Sequence, residues 1–231
     1  MGIKGFQGTS LLDYPGRIAS LIFLGGCNLT CPFCHNPPLV IDPETCPDLD
    51  LEEIFNDLEV RAKFIDGVVF SGGEPTYDAA LFDLTSRVKR LGLAVKLDTN
   101  GLAPNVIEQL LDHDLLDCLA IDLKTSLDRY SDLHDRPVKG GNLLRTVQIA
   151  RSAPVEVEFR TTCVPGWVDE NVIHEWGAVI AGTPLWAIQQ YHPEYALAER
   201  MRETASLPGT EVKALAEIAQ GYVEKVVLRG L

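Results

Sequence analysis

The sequence is short of positive charge, of long apolar runs and of the motifs that mark common enzyme classes. Twenty Lys and Arg face 33 Asp and Glu, a net charge of −13, which disfavours nucleic acid or an anionic membrane as a partner. No apolar run approaches the ~20 residues that a membrane helix needs. The start, Met1-Gly2-Ile3-Lys4-Gly5-Phe6, lacks the apolar core and small-residue cleavage site of a secretory signal. Phe6 also stands where a myristoylation motif wants Ser or Thr. The expectation is a cytoplasmic protein whose thiols stay unbridged. Lys139-Gly140-Gly141-Asn142 is not set in a phosphate-binding loop, and His174-Glu175 lacks the second histidine of a zincin helix. There is no G-x-S-x-G elbow. Low-complexity segments, linkers and short repeats are likewise missing.

What is present starts with Cys27-Asn28-Leu29-Thr30-Cys31-Pro32-Phe33-Cys34-His35. Three cysteines spaced C-x3-C-x2-C follow the apolar run Ile18 to Leu24 and the pair Gly25-Gly26. Thiolates are soft ligands that suit zinc and iron–sulfur clusters. A cubane cluster is closed by four thiolates, so three would leave one iron open to a ligand that is not a protein side chain. Zinc with His35 as fourth ligand is the rival reading, but zinc sites usually pair two separated knuckles. The remaining thiols, Cys46, Cys118 and Cys163, are scattered singly and are expected to be ordinary buried side chains.

Hydrophobic residues make up 46% of the chain, enough for one well-buried domain at this length. Short β-branched runs predict strands at Ile18 to Leu24, Val68 to Ser71, Ala94 to Asp98, Cys118 to Asp122, Val155 to Thr162 and Leu185 to Gln190. Amphipathic stretches between them predict helices around Leu51 to Ala62, Leu81 to Leu91, Val106 to Leu111, Leu143 to Ala150, Val172 to Ile180 and Leu215 to Ala219. Asp78 and Asp169 are expected N-caps, and Pro104 suits a first helical turn. Six strand–helix units predict a parallel α/β sheet with right-handed crossovers, an open and partial (β/α)6 barrel, with Val223 to Leu228 as an extra strand. A flat doubly wound sheet is the alternative. Residues 2 to 17 read as a strand and turn beside the first unit, and Asp128 to Arg136 as a solvated helix and loop flanking the rim.

Ligands of parallel α/β folds bind where the strands end. There stand the cysteine loop, then Ser71-Gly72-Gly73-Glu74-Pro75, then Asp98-Thr99-Asn100-Gly101, then Asp122-Leu123-Lys124, then Arg160, and last Gln190-Tyr191-His192. Glycines let backbone approach closely, a carboxylate can receive an ammonium, and a guanidinium fork suits a carboxylate. Each has a structural alternative: a tight turn at Gly72-Gly73, helix caps at Asp98 or Asp122, an Arg160–Glu158 pair, a core role for His192. Polar clusters at six successive strand ends are hard to explain by solvation alone.

Taken together, the cysteine loop, the Gly-Gly-Glu loop, Asp-Thr-Asn-Gly, Asp-Leu-Lys, Arg160 with Val164-Pro165-Gly166-Trp167, and Tyr191-His192 resemble the glycyl-radical-enzyme activating enzymes of the radical S-adenosylmethionine (SAM) superfamily. The resemblance implies a single radical SAM domain over 1–231, its core at about 17–192 and a C-terminal helix and strand at 193–231. It implies that Cys27, Cys31 and Cys34 hold a [4Fe–4S] cluster, with the backbone around Phe33 near the adenine of SAM. Gly72, Gly73 and Glu74 would meet the methionine amino group, Arg160 its carboxylate, and His192 the ribose side, with Lys124 near the sulfonium. Asp98, Thr99 and Asp122 match positions that bind a monovalent cation beside SAM, Asp98 and Thr99 being SAM-site positions too.

The implied activity is reductive cleavage of SAM to methionine and a 5′-deoxyadenosyl radical, with flavodoxin or ferredoxin as electron donor. The radical would abstract a hydrogen from a glycine of a partner enzyme. Asp13-Tyr14-Pro15-Gly16-Arg17 departs from the Asp-Gly-Pro-Gly of better-known members and is similar to the subfamily that activates anaerobic ribonucleoside-triphosphate reductase. Two rivals remain: a radical SAM enzyme acting on a small molecule, and a non-catalytic iron–sulfur electron-transfer module. The first wants a dedicated substrate domain, for which 193–231 is short; the second wants a fourth cysteine near the loop.

Overall fold

A computed structural model describes residues 2–231, which pack as two compact units. The first comprises residues through 28, 38–99 and 105–119; the second comprises 29–37, 100–104 and 120–231.

In the first unit, β1 (Ile3–Ser10) pairs antiparallel with β2 (Ala19–Leu24), setting Ile3 opposite Leu24 and Phe6 opposite Ile22. Beyond β2 come the short helix α1 (Pro37–Ile41) and α2 (Leu51–Arg61). Asp50 caps α2 by accepting from the amides of Glu52 and Glu53, and Ile54, Phe55 and Leu58 form its buried face. β3 (Gly67–Gly72) runs parallel to β2, from Ala19↔Gly67 to Leu24↔Gly72. After α3 (Leu81–Arg90), β4 (Ala94–Thr99) runs parallel to β3. Arg87 of α3 lies 3.9 Å over the Phe55 ring and pairs with Glu52, tying α3 to α2. Asp78 is not the N-cap of α3. That place falls to Ala80, and Asp78 instead accepts from the Ala80 amide, because a 3-10 turn at Pro75–Tyr77 delays the helix. α4 (Pro104–Asp112) begins on its proline as expected.

The hairpin tip between β1 and β2 explains Asp13-Tyr14-Pro15-Gly16-Arg17. Tyr14 is wholly buried in a cluster with Ala19, Leu21, Val69 and Cys118. Gly16 turns the chain at φ +76, and Arg17 donates its amide to the Tyr14 carbonyl while its guanidinium lies 4.9 Å from the Tyr14 ring centre. The motif is thus a packing device.

β5 (Cys118–Asp122) begins in the first unit and ends in the second. The second unit adds α5 (Gly140–Ser152), β6 (Glu156–Cys163), α6 (Glu170–Val179), β7 (Leu185–Gln190), α7 (Glu199–Arg202), α8 (Gly209–Gln220) and β8 (Lys225–Arg229). β6, β7 and β8 are parallel neighbours, with Arg160 opposite Ala187 and Leu185 opposite Lys225. Asp169 caps α6 through the Val172 amide. Trp176 and Trp186 fill the core, and each indole N–H finds an acceptor, Thr125 O and Thr161 Oγ1. Among the described residues β1 and β8 stand at the two ends of the strand order, each paired on one side only, so the sheet is open. The fold is the expected α/β class, with β8 as a seventh strand in the parallel direction and β1 as an antiparallel addition.

Candidate active site

In the first unit the site starts where β2 ends. Gly72 adopts φ +112, and a Cβ there would come within 2.6 Å of Leu24 backbone atoms; one on Gly73 would run into the Gly26 carbonyl. The amides of Gly73 and Glu74 donate to Leu24 O and Gly26 O, both at 2.8 Å. The two glycines therefore let the loop after β3 lie against the Gly25-Gly26 backbone that leads into Cys27. Glu74 is buried, and its Oε1 accepts from the Thr76 amide (3.1 Å), Thr76 Oγ1 (2.5 Å) and Thr99 Oγ1 (2.8 Å). One carboxylate oxygen so links the ends of β3 and β4. Asp98, beside Thr99, receives Lys96 Nζ at 2.5 Å.

In the second unit the cysteine loop is held from two directions. The Thr30 amide donates to Leu133 O, and Thr30 Oγ1 lies 3.0 Å from His134 Nδ1. From the far end of the chain, the Ala198 amide donates to Pro32 O at 2.8 Å. Phe33 is buried edge-on against Trp167 at 5.3 Å, with Arg129 over the indole. His35 stacks on the buried Tyr191. Its pKa is lowered by burial and by the neighbouring His192 and Lys124. Burial pushes the Cys31 thiol up to about 11, against the pull of the Lys124 charge, and raises Cys34 as well.

Beside the loop, Asp122 receives Arg160 Nε at 2.8 Å and Lys124 Nζ at 3.1 Å. Burial alone would raise the Asp122 carboxyl, but the two cations hold it well below the usual carboxylate range. Burial opposes the Lys124 charge, and Asp122 more than restores it. Two cations on one carboxylate leave a locally positive spot in an acidic chain. Arg160 thus pairs with Asp122 rather than Glu158, which is taken by Arg229. Tyr130, in the stretch expected to be solvated, is buried within the 3-10 turn Leu127–Leu133 and accepts from the Lys124 amide.

The model of the Radical SAM superfamily matches residues 21–174. The chain belongs to the radical SAM superfamily. A protein of Methanocaldococcus jannaschii described as a candidate glycyl-radical enzyme activating enzyme is 35% identical over 232 residues, 98% of this chain and 95% of that one. Pyruvate formate-lyase-activating enzyme of Clostridium pasteurianum is 30% identical over 179 residues, 74% of this chain and 72% of its own length. The solved structure of SuiB from Streptococcus suis bound to S-adenosylmethionine matches with a TM-score of 0.63 at 14% identity, over 91% of this chain and 52% of that one, a likeness of fold alone. Within the superfamily the chain falls among the activating enzymes of glycyl-radical enzymes. It is a radical SAM enzyme, and its cofactors are a [4Fe–4S] cluster and SAM.

Three thiols in one short loop fit a radical SAM cluster by donor chemistry. Among the described residues no three His, Cys, Asp or Glu converge on one metal ion. Of the other thiols, Cys118 and Cys163 are buried as expected, the latter with its pKa pushed up to about 12 by burial, but Cys46 is only half-buried. His192 keeps a half-exposed ring, with its Nδ1 4.0 Å from Glu194. Lys96, Thr76 and Tyr130 were not expected at the site, and His35, weighed as a zinc ligand, stacks on Tyr191. A lysine in a strand reads as solvent-facing, and Tyr130 is hidden in a run of charges.

Proposed function

We propose that this enzyme cleaves SAM reductively and installs a glycyl radical on a partner, anaerobic ribonucleoside-triphosphate reductase, in the reducing cytoplasm where its six cysteines stay free. The observation that carries the reading is the three-thiol loop, fastened to Leu133, His134 and Ala198, with Cys31 buried and Cys27 and Cys34 half-buried. Among the described residues no helix is long and apolar enough to cross a membrane.

In this reading Cys27, Cys31 and Cys34 hold the cluster. A cluster bound there would supply one-electron reduction of the SAM sulfonium, with flavodoxin or ferredoxin as the donor. The Gly72-Gly73-Glu74 loop would receive the methionine ammonium. Arg160 would take its carboxylate, drawing on the hydrogen bond now given to Asp122, with Lys124 near the sulfonium. Phe33, locked on Trp167, makes an apolar wall that excludes water near the adenine, and the half-exposed His192 serves the ribose. Asp98 and Thr99 support the SAM end of β4.

The partner is the finer step. Its support is the similarity of residues 13–17 to the reductase-activating subfamily; the relative named for pyruvate formate-lyase supports that enzyme as the second reading. The test is anaerobic reconstitution with iron and sulfide, reduction with dithionite, and assay for 5′-deoxyadenosine and methionine. Electron paramagnetic resonance with each partner follows. A glycyl doublet on the reductase is expected; a doublet on pyruvate formate-lyase alone replaces the partner, and intact SAM ends the catalytic reading. Cys31→Ala should leave the protein without bound iron, and retained iron would remove Cys31 from the ligand set.

A further inference from the structure

Lys96 precedes Asp98 by two residues in β4, so both side chains leave the same face of the strand. The Lys96 side chain is 1% exposed, that of Asp98 12%, and the ammonium sits 2.5 Å from Asp98 Oδ1. Val69, directly across on β3, belongs to the apolar cluster around Tyr14, so Lys96 carries a full charge into an otherwise oily layer. Stripping an ammonium of water is costly, and replacing such a pair with apolar side chains usually costs a protein nothing in stability. The pair is therefore weak as a stability device and calls for another account.

Asp98 and Thr99 belong to the set expected to hold a monovalent cation. The set as built does not fit an alkali ion, because the Asp98 carboxylate already carries an ammonium. The Asp122 member is likewise compensated, by Arg160 and Lys124. An ammonium and an alkali ion bring the same charge to a carboxylate, and a tethered one is present at high effective concentration whatever the salt.

We infer that Lys96 is a built-in counter-ion for Asp98, supplying from the chain itself the charge that a soluble monovalent cation would bring, so that SAM binding here needs neither sodium nor potassium. The inference rests on placing Asp98 at the SAM site. Lys96 is a positioning residue: it acts on SAM through Asp98.

The test is calorimetric titration of the reconstituted holoprotein with SAM, anaerobically, in potassium, sodium or choline chloride of equal ionic strength. Wild type should bind SAM with the same dissociation constant, within about twofold, in all three salts. Lys96→Met keeps the stem and removes the ammonium. It should bind SAM ~10-fold more weakly in choline chloride and recover in potassium or sodium, a response that loss of packing would not give. Lys96→Arg should stay indifferent to the salt, and with wild type it carries the test if Lys96→Met does not fold. Wild-type affinity that rises with potassium overturns the inference, as does Lys96→Met binding SAM like wild type in choline chloride. Wild type that carries its full iron yet binds no SAM in any salt would instead take down the SAM-site reading, and this inference with it.

Discussion

Between Arg160 and Lys124, Asp122 loses its proton more readily than a carboxylate in the unfolded chain does. A carboxyl whose folded pKa is depressed adds stability that is complete above the unfolded value of about 4 and drains away as pH falls below it. Asp122→Asn should therefore unfold at lower urea than wild type at pH 7, and the gap should narrow as the pH is taken down through the carboxylate range. A gap that widened on acidification would reverse the sign assigned to this group. Glu74 works differently, since its Oε1 answers three donors in a buried place. Glu74→Ala should cost about 2 kcal/mol by leaving the Thr76 amide and two hydroxyls short of an acceptor, lowering Tm by roughly 4–8 °C. If the same carboxylate receives the methionine ammonium, SAM affinity falls as well. A lower Tm with unchanged affinity would leave Glu74 as a tie between loops.

At the level of elements, the glycine loop after β3 is a piece of backbone stacked on the approach to Cys27. Gly73→Ala has no relaxed solution, because the new methyl group would occupy the Gly26 carbonyl. A cost of about 1–3 kcal/mol is expected from the forced shift, together with reduced iron uptake on reconstitution, since Cys27 follows Gly26. Wild-type iron content and urea midpoint together would refute this. The elements themselves were largely legible in the sequence. The run expected at Leu185 to Gln190 is β7 to the residue, and Ile18 to Leu24 is β2 with one residue too many. Alternation and β-branching are local signals, and these strands are buried enough to display them. What stayed hidden depends on partners remote in the chain. Nothing near Glu74 announces Thr99, and Arg160 has an acid two residues away on its own strand face, which is the wrong one. The segment around Tyr130 reads as solvated because a 3-10 turn buries positions three apart, and only Tyr130 and Leu133 point inward among charged neighbours.

For the whole molecule, the acidic excess is carried outside while the Arg160–Asp122–Lys124 group keeps a positive spot within the second unit. Solubility should pass through a minimum near the isoelectric point of about 4.7, where self-repulsion vanishes. Light scattering against pH would show it, and a flat profile between pH 4 and 6 would contradict a surface dominated by carboxylates. The −13 charge also bears on choice of partner: a polyanion is repelled at a distance, whereas a small ligand that reaches the positive spot is not.

The hydrogen bond from Ala198 to Pro32 sets an order of events during synthesis. A ribosome delivers the cysteines before Ala198, so the loop that carries Cys31 and Cys34 stays unfastened on that side until residue 198 has been made. Iron delivered to the nascent chain would meet an open, exchangeable set of thiols. Iron delivered later would meet one fastened at Pro32 by the Ala198 amide. A chain cut before Ala198 would lack that fastening of the cysteine loop.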